Sequence, residues 1–194
     1  MALLLYFIVY LLLAFVWRSL LVYKRSGQNP LVLPTRDDAY GYVGRAFKIL
    51  IILVAAIVAT NAIAPNWMSL LGSLQFLQNS LFKQVGWALL AVSLLFLLVA
   101  QAQMGNSWRI GIDENNRTEL VSKGLFSFSR NPIFLSMRIN LTGLFLVLPN
   151  AVTLALVAVG EVLMQVQVRL EEAHLHSLHG AKYMEYRSTV RRWL

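Results

Sequence analysis

Leu120-Val-Ser-Lys-Gly-Leu-Phe-Ser-Phe-Ser-Arg-Asn-Pro-Ile-Phe134 is a short polar, glycine-bearing stretch set between two long apolar ones. Gly124 permits a backbone turn that a Cβ would oppose. Pro132 turns Asn131 away from helical geometry and is itself a suitable first residue for a helix. The polar run therefore ends where an apolar helix begins, and Arg130 is held at that boundary. On spacing alone two readings of Arg130 stay open: one more interfacial positive charge, or a guanidinium that meets a carboxylate without crossing lipid.

The surrounding composition says what the boundary divides. Of 194 residues, 58% are hydrophobic and 13% charged, and the mean hydropathy is +0.61, a combination that soluble domains seldom show. The chain reads as a membrane protein, with the lipid bilayer as its first partner. Lys and Arg total 17 against 9 Asp and Glu, a net charge of +8. In a membrane protein basic residues mark the cytoplasmic side, so a nucleic-acid partner is not expected. Cysteine is absent, which removes disulfides, thiol nucleophiles and cysteine metal sites.

Outward toward the N-terminus, Met1 to Val22 is almost uninterruptedly apolar for the length of a bilayer crossing; its first charge is Arg18, and Lys24 and Arg25 follow, which predicts an external N-terminus. Residues 26–44 hold Gly27, Pro30, Pro34, Asp37, Asp38, Gly41 and Gly44 and are expected to form a cytoplasmic loop with little regular structure. A second span is read at Ile49 to Ile63, with Ala46 as an alternative entry, ending before Pro65 and Trp67. An uncharged external segment over 65–82 precedes a third span at Lys83 to Ala102. No span carries a clear small-xxx-small face. Residues 103–131 turn polar, a long cytoplasmic loop with Gly105, Gly111 and Gly124 available for close approach to a ligand.

Toward the C-terminus, Ile133 to Leu148 and Ala151 to about Leu170 are joined by Pro149-Asn150, a connection that suits antiparallel neighbours. The fold class predicted is all-α: a single polytopic membrane domain of five transmembrane helices, the last two a tight antiparallel hairpin, with a short C-terminal amphipathic helix. Residues 1–104 form its three-span N-terminal part and 105–194 its cofactor-binding and catalytic part. Reflection about the turn sets Arg138 level with Glu161. Each lies 11 residues from the turn, roughly 17 Å down at 1.5 Å per residue. A buried ion pair is expected, the alternative being that they line a polar tunnel.

The same reflection brings Arg130 near the depth of Arg169, Glu171 and Glu172. Adjacent helical glutamates point about 100° apart, so one should do specific work while the other faces water or a capping partner. Glu172, His176 and His179 share one face at metal-ligand spacing. The alternative is that Gly180 ends the helix there and His179 complements its dipole, and no metal is assigned. Ala181 to Arg192 sets Tyr183, Tyr186 and Val190 on one side, which suits either an anchor on the inner membrane surface or a lid over the polar loop.

Taken together, Trp108-Arg-Ile-Gly-Ile, Leu120-Val, Gly124-Leu-Phe, Arg130-Asn-Pro, Glu171-Glu-Ala-His-Leu and Gly180-Ala-Lys-Tyr-Met-Glu-Tyr match a family pattern in order and spacing. Over Met104 to Trp193 the chain resembles the isoprenylcysteine carboxyl methyltransferases and their prokaryotic relatives. The family commonly has His at the position of Asn131, Tyr at Phe126 and Arg at Gln167. The resemblance implies an integral-membrane enzyme that moves a methyl group from S-adenosylmethionine to a lipophilic acceptor drawn from the membrane, a prenylcysteine carboxylate in family members, and releases S-adenosylhomocysteine. It implies that Gly111, Thr118, Glu119, Leu120, Val121, Phe126, Asn131, Pro132, Ile133 and Phe134 wrap the cofactor, and that Arg130, Glu171 and Gln167 line the reaction centre on the cytoplasmic side. Two rivals are carried: an NADPH-dependent membrane reductase of the sterol-reductase type and a non-enzymatic lipid-binding protein.

Overall fold

A computed structural model of the chain describes residues 1–27, 29–32, 37–111 and 118–194. Among these, regular structure is helical. The elements are α1 (Ala2–Ser26), α2 (Ala39–Ile63), α3 (Ser80–Met104), α4 (Pro132–Val147), α5 (Ala151–His179) and α6 (Ala181–Thr189), with short 3₁₀ turns between them. Four helices, α1, α2, α3 and α5, are long and apolar enough to cross a membrane. With 16 residues α4 extends about 24 Å at 1.5 Å per residue, short of a ~30 Å hydrocarbon core.

Local signals set the helix ends. Asp38 caps α2 by accepting from the Gly41 amide at 2.8 Å. The helix therefore begins at Ala39 and takes in Gly41 and Gly44, against the irregular chain that the loop composition predicts. Pro132 opens α4 as expected of a residue whose missing N–H is no loss at a first turn. Asn150 and Thr153 form a reciprocal capping box that starts α5 two residues after α4 has given way at Leu148. Gly180, at φ +54°, divides α5 from α6. Leu12–Trp17, inside α1, is wound as a π stretch, which changes the carbonyl register; Gln101 Nε2 of α3 donates to the Ala14 carbonyl at 2.8 Å.

In lipid, helices associate by close packing and polar contacts rather than by apolar burial alone. α3 and α4 meet through one glycine from each: a Cβ on Gly86 would stand 2.9 Å from the Gly143 carbonyl, and one on Gly143 would stand 2.9 Å from that of Gly86. Pairing across helices leaves no small-xxx-small pattern within either. α3 is consequently the main neighbour of α4, more than α5 is. Nearby, Asn140 of α4 donates to Ser93 Oγ of α3 at 2.9 Å and to the Tyr6 hydroxyl of α1, which donates to the Leu90 carbonyl at 2.9 Å. The apolar core draws Leu3, Leu50, Leu90, Leu144 and Leu156 from five different helices.

Arg138 and Glu161 do join α4 to α5, Nε to Oε2 at 2.7 Å, but with side chains 31% and 37% exposed they are not the fully buried pair expected. The Trp193 ring lies 4.4 Å from the Arg138 guanidinium carbon, so the chain's end reaches this pair. At one end of the bundle Leu74 and Ala151 hydrogen-bond to Pro149 and Gly72. At the other, Val32 and Ile110 pair the segment after α1 with the segment after α3.

Candidate functional site

The second end carries two adjoining features, a filled ionic cluster and an open cavity. The cluster is built on Glu172, whose side chain is 7% exposed. Arg130 donates to its Oε1 from Nε at 3.2 Å and Nη2 at 3.1 Å. Arg192 grips it with Nε at 3.0 Å to Oε1 and Nη2 at 2.8 Å to Oε2, and Asn131 Nδ2 adds 3.2 Å to Oε1. Arg130 Nη1 also donates to the Arg187 carbonyl at 3.0 Å and to that of Val190 at 2.6 Å. Four of the five guanidinium N–H groups are thus held by protein.

The same contacts strap the C-terminal tail down. Arg130 N donates to the Arg191 carbonyl at 2.9 Å and Ser129 Oγ to that of Arg192 at 3.2 Å. α6 turns its Tyr183 and Tyr186 inward, Tyr186 donating its hydroxyl to the Phe126 carbonyl at 2.6 Å. The tyrosine stripe read from sequence therefore faces protein, not membrane, and Phe126 is what it covers. Burial pushes the Tyr186 hydroxyl up to about 12, so it stays a donor at neutral pH. The hydrogen bond to Glu172 raises Arg192 above its already high value.

The cavity, about 270 Å³, lies beside this cluster. Its wall includes Tyr10, Ala14 and Phe15 of α1; Tyr40, Gly44, Phe47, Lys48 and Ile51 of α2; and Leu97, Gln101 and Met104 of α3. The rest comes from 108–111, Phe126, 130–134, Met137, Gln167, Glu171 and Leu175. Apolar and aromatic groups dominate, with a few polar ones among them, the usual make-up of a small-molecule site. Gln167 Nε2 donates to Glu171 Oε1 at 3.0 Å, so one carboxylate is braced in the wall by its neighbour one turn away.

Of the residues singled out from sequence, Arg130, Glu171, Gln167, Gly111, Phe126, Asn131, Pro132, Ile133 and Phe134 all border this one space. Thr118, Glu119, Leu120 and Val121 do not, and residues 112–117, between them and Gly111, lie outside the described part. Neither Arg138 nor Glu161 lines the cavity. The adjacent glutamates both face protein. A helix whose two sides are each covered, one by the cavity's lining and the other by the tail, can bury neighbours 100° apart. Glu172 gives both carboxylate oxygens to arginines, and the His176 ring lies 6.5 Å from that of Tyr183.

Sequence reading missed the contribution of the first half of the chain, above all the Tyr40, Gly44, Phe47, Lys48 and Ile51 face of α2. Their i, i+4, i+7, i+8, i+11 spacing was the available signal, hidden because most remaining positions of α2 are apolar as well. A second cavity, of about 370 Å³, opens at the opposite end, between 77–83 and 146–150. Lys83 is its one ionisable side chain among the described residues, and none of the motif residues reaches it.

Comparison with curated proteins gives no sequence match. The family model described as phospholipid methyltransferase matches residues 81–182, just over half of the chain. That segment runs from the start of α3 to the start of α6 and contains the 130–134 turn, Gln167 and Glu171. Helices fit to span a bilayer, a cavity bordered by the motif residues and this match converge: the chain belongs to the phospholipid methyltransferase family, one of the integral-membrane methyltransferases.

Proposed function

We propose that the protein uses S-adenosylmethionine to methylate a lipophilic acceptor, at a carboxylate as in isoprenylcysteine O-methylation, and releases S-adenosylhomocysteine. The observation that carries this reading is the cavity in which Glu171, Gln167 and the 130–134 turn stand together inside the family-matched segment. The residues present suit the cofactor. A cationic ligand is served by a carboxylate already braced by Gln167, and a purine by the aromatic side chains of Trp108, Phe126 and Phe134. In this reading Gly111, Phe126 and the 131–134 turn hold the cofactor, and Glu171 takes its ammonium or its sulfonium charge.

When bound, the cofactor supplies an electrophilic methyl group on sulfur. An acceptor carboxylate is ionised at neutral pH, so the protein's tasks are alignment and exclusion of water rather than strong base catalysis. Phe15, Phe47, Ile51, Leu97 and Ile133 supply the dry wall. Arg130, its donors largely occupied by Glu172 and the tail, fixes the 129–131 turn and offers the cavity at most one N–H. The membrane arrangement belongs to the same reading. The proposal has five crossings, with α4 and α5 as an antiparallel pair and the N-terminus outside. The cavity end is cytoplasmic, supported by the basic residues Lys24, Arg25, Arg45, Arg187 and Arg191 gathered there.

A phospholipid amine is the second reading. The family description names phospholipids, and an amine nucleophile must give up a proton, for which Glu171 is the cavity's carboxylate among the described residues. Membranes containing the protein, supplied with methyl-labelled S-adenosylmethionine, should yield labelled lipid. Label released as methanol by mild base identifies a carboxylate ester, and base-stable label identifies nitrogen. Absence of label from lipid, beside a positive control enzyme, overturns the proposal.

A further inference from the structure

The cations around the cavity are unequally committed. Among the described residues the cavity is lined by Lys48, Arg109 and Arg130. Arg130 is held by Glu172 and two tail carbonyls, and Arg109 Nη1 donates to the carbonyls of Asn106 at 2.7 Å and Trp108 at 3.0 Å. Lys48 has no hydrogen-bond or ion-pair partner among the described residues.

Position makes this informative. Lys48 lies nine residues into α2, about 14 Å along its axis, on the stripe with Gly44, Phe47 and Ile51 that faces the cavity. The outward positions Ile49, Ile52 and Leu53 are 58%, 65% and 49% exposed. Lys48 itself is exposed, so it stands at the cavity's lip, between the lined space and the face turned to lipid. A charged side chain on a membrane helix without a counter-charge is costly, and such residues mark ligand paths.

We infer that Lys48 binds the oxyanion of a lipid-borne acceptor, a carboxylate or a phosphate carried on an apolar chain. This rests on the lipophilic-acceptor reading above and assigns that acceptor a polar contact on α2, in the same cavity that Glu171 lines from α5. An ammonium with its donors unengaged pairs with one oxyanion at the cavity mouth. Phe47, Ile51, Ile133 and Met137 of the same wall offer apolar surface to the chain behind it.

The test is native mass spectrometry of the full chain released from detergent, with S-adenosylhomocysteine present. Hexadecanoate, palmitoyl lysophosphatidate and hexadecanol are titrated in separate arms. The wild type should bind at least one oxyanion lipid more tightly than the alcohol; which one it prefers tells carboxylate from phosphate. Lys48→Gln should weaken that binding roughly tenfold, the loss of one charge-assisted contact. Lys48→Arg should restore most of it, and hexadecanol binding should not change. Arg45→Gln, which removes an exposed charge one turn earlier that pairs with Asp37 at 3.4 Å, should leave all three arms unchanged. The inference is overturned if Lys48→Gln binds both oxyanion lipids as the wild type does, if it loses the alcohol equally, or if Arg45→Gln loses as much. S-adenosylhomocysteine binding is read in the same spectra. Its absence from the wild type would overturn the methyltransferase reading, while the lipid arms would still decide the role of Lys48.

Discussion

Glu171 and Glu172 are neighbours on one helix and live in opposite circumstances. Glu172 is enclosed by Arg130, Arg192 and Asn131, and both its oxygens are taken. Glu171 has a single described partner, Gln167, and otherwise borders open space. A closed ionic cluster is architecture: its members satisfy one another and hold the chain's end against the 129–131 turn. An incompletely satisfied carboxylate in a cavity is a place for a ligand. Charge at this boundary divides by saturation, and the arginine most visible in the sequence, Arg130, belongs mainly to the closed side.

That division can be broken by experiment. Glu172→Ala leaves two guanidinium groups facing each other without their carboxylate and should cost on the order of 3 kcal/mol of stability, read by thermal unfolding in detergent. An unfolding midpoint close to wild type would mean that the cluster does not hold the tail. Glu171→Gln should do the reverse, with an unfolding midpoint near wild type and methyl transfer down by about 100-fold, comparable to losing one preorganised charge contact at a reaction centre. Equal loss of stability in both variants would erase the distinction.

A smaller effect sharpens the closed side. Tyr186→Phe removes one hydrogen bond from α6 to the Phe126 carbonyl and should cost about 1 kcal/mol. Because the folded hydroxyl is raised from 10.0 to about 12, its contribution is complete below pH 10 and is lost as the pH rises through 12. The stability advantage of wild type over Tyr186→Phe should therefore fall steadily across that interval. A difference that persists unchanged above pH 12 would contradict the assignment.

Much of this was legible in the sequence because it rests on local rules. Apolar runs marked the long helices, Pro132 and Gly180 marked their ends, and reflection about Pro149-Asn150 matched Arg138 to Glu161, which stand 2.7 Å apart. The motif residues that border the cavity came through family resemblance. What stayed hidden was relational. Asp38 outweighed the loop composition around it by capping α2. Gly86 and Gly143 act as a pair across two helices, and a lone glycine in each gives no local sign of it. Lys48 read as a flank of the second span because a helix apolar on most sides gives no phase from which to tell an inward lysine. Which of two adjacent glutamates is free depends on a tail twenty residues away, since Arg192 reaches back to Glu172.

The most direct test is calorimetric titration of the purified full chain in detergent with S-adenosylhomocysteine and, separately, with NADPH. The account predicts one saturable site for S-adenosylhomocysteine, weakened by Glu171→Gln, and no binding of NADPH. Binding of NADPH, or failure of the folded protein to bind S-adenosylhomocysteine, would contradict it.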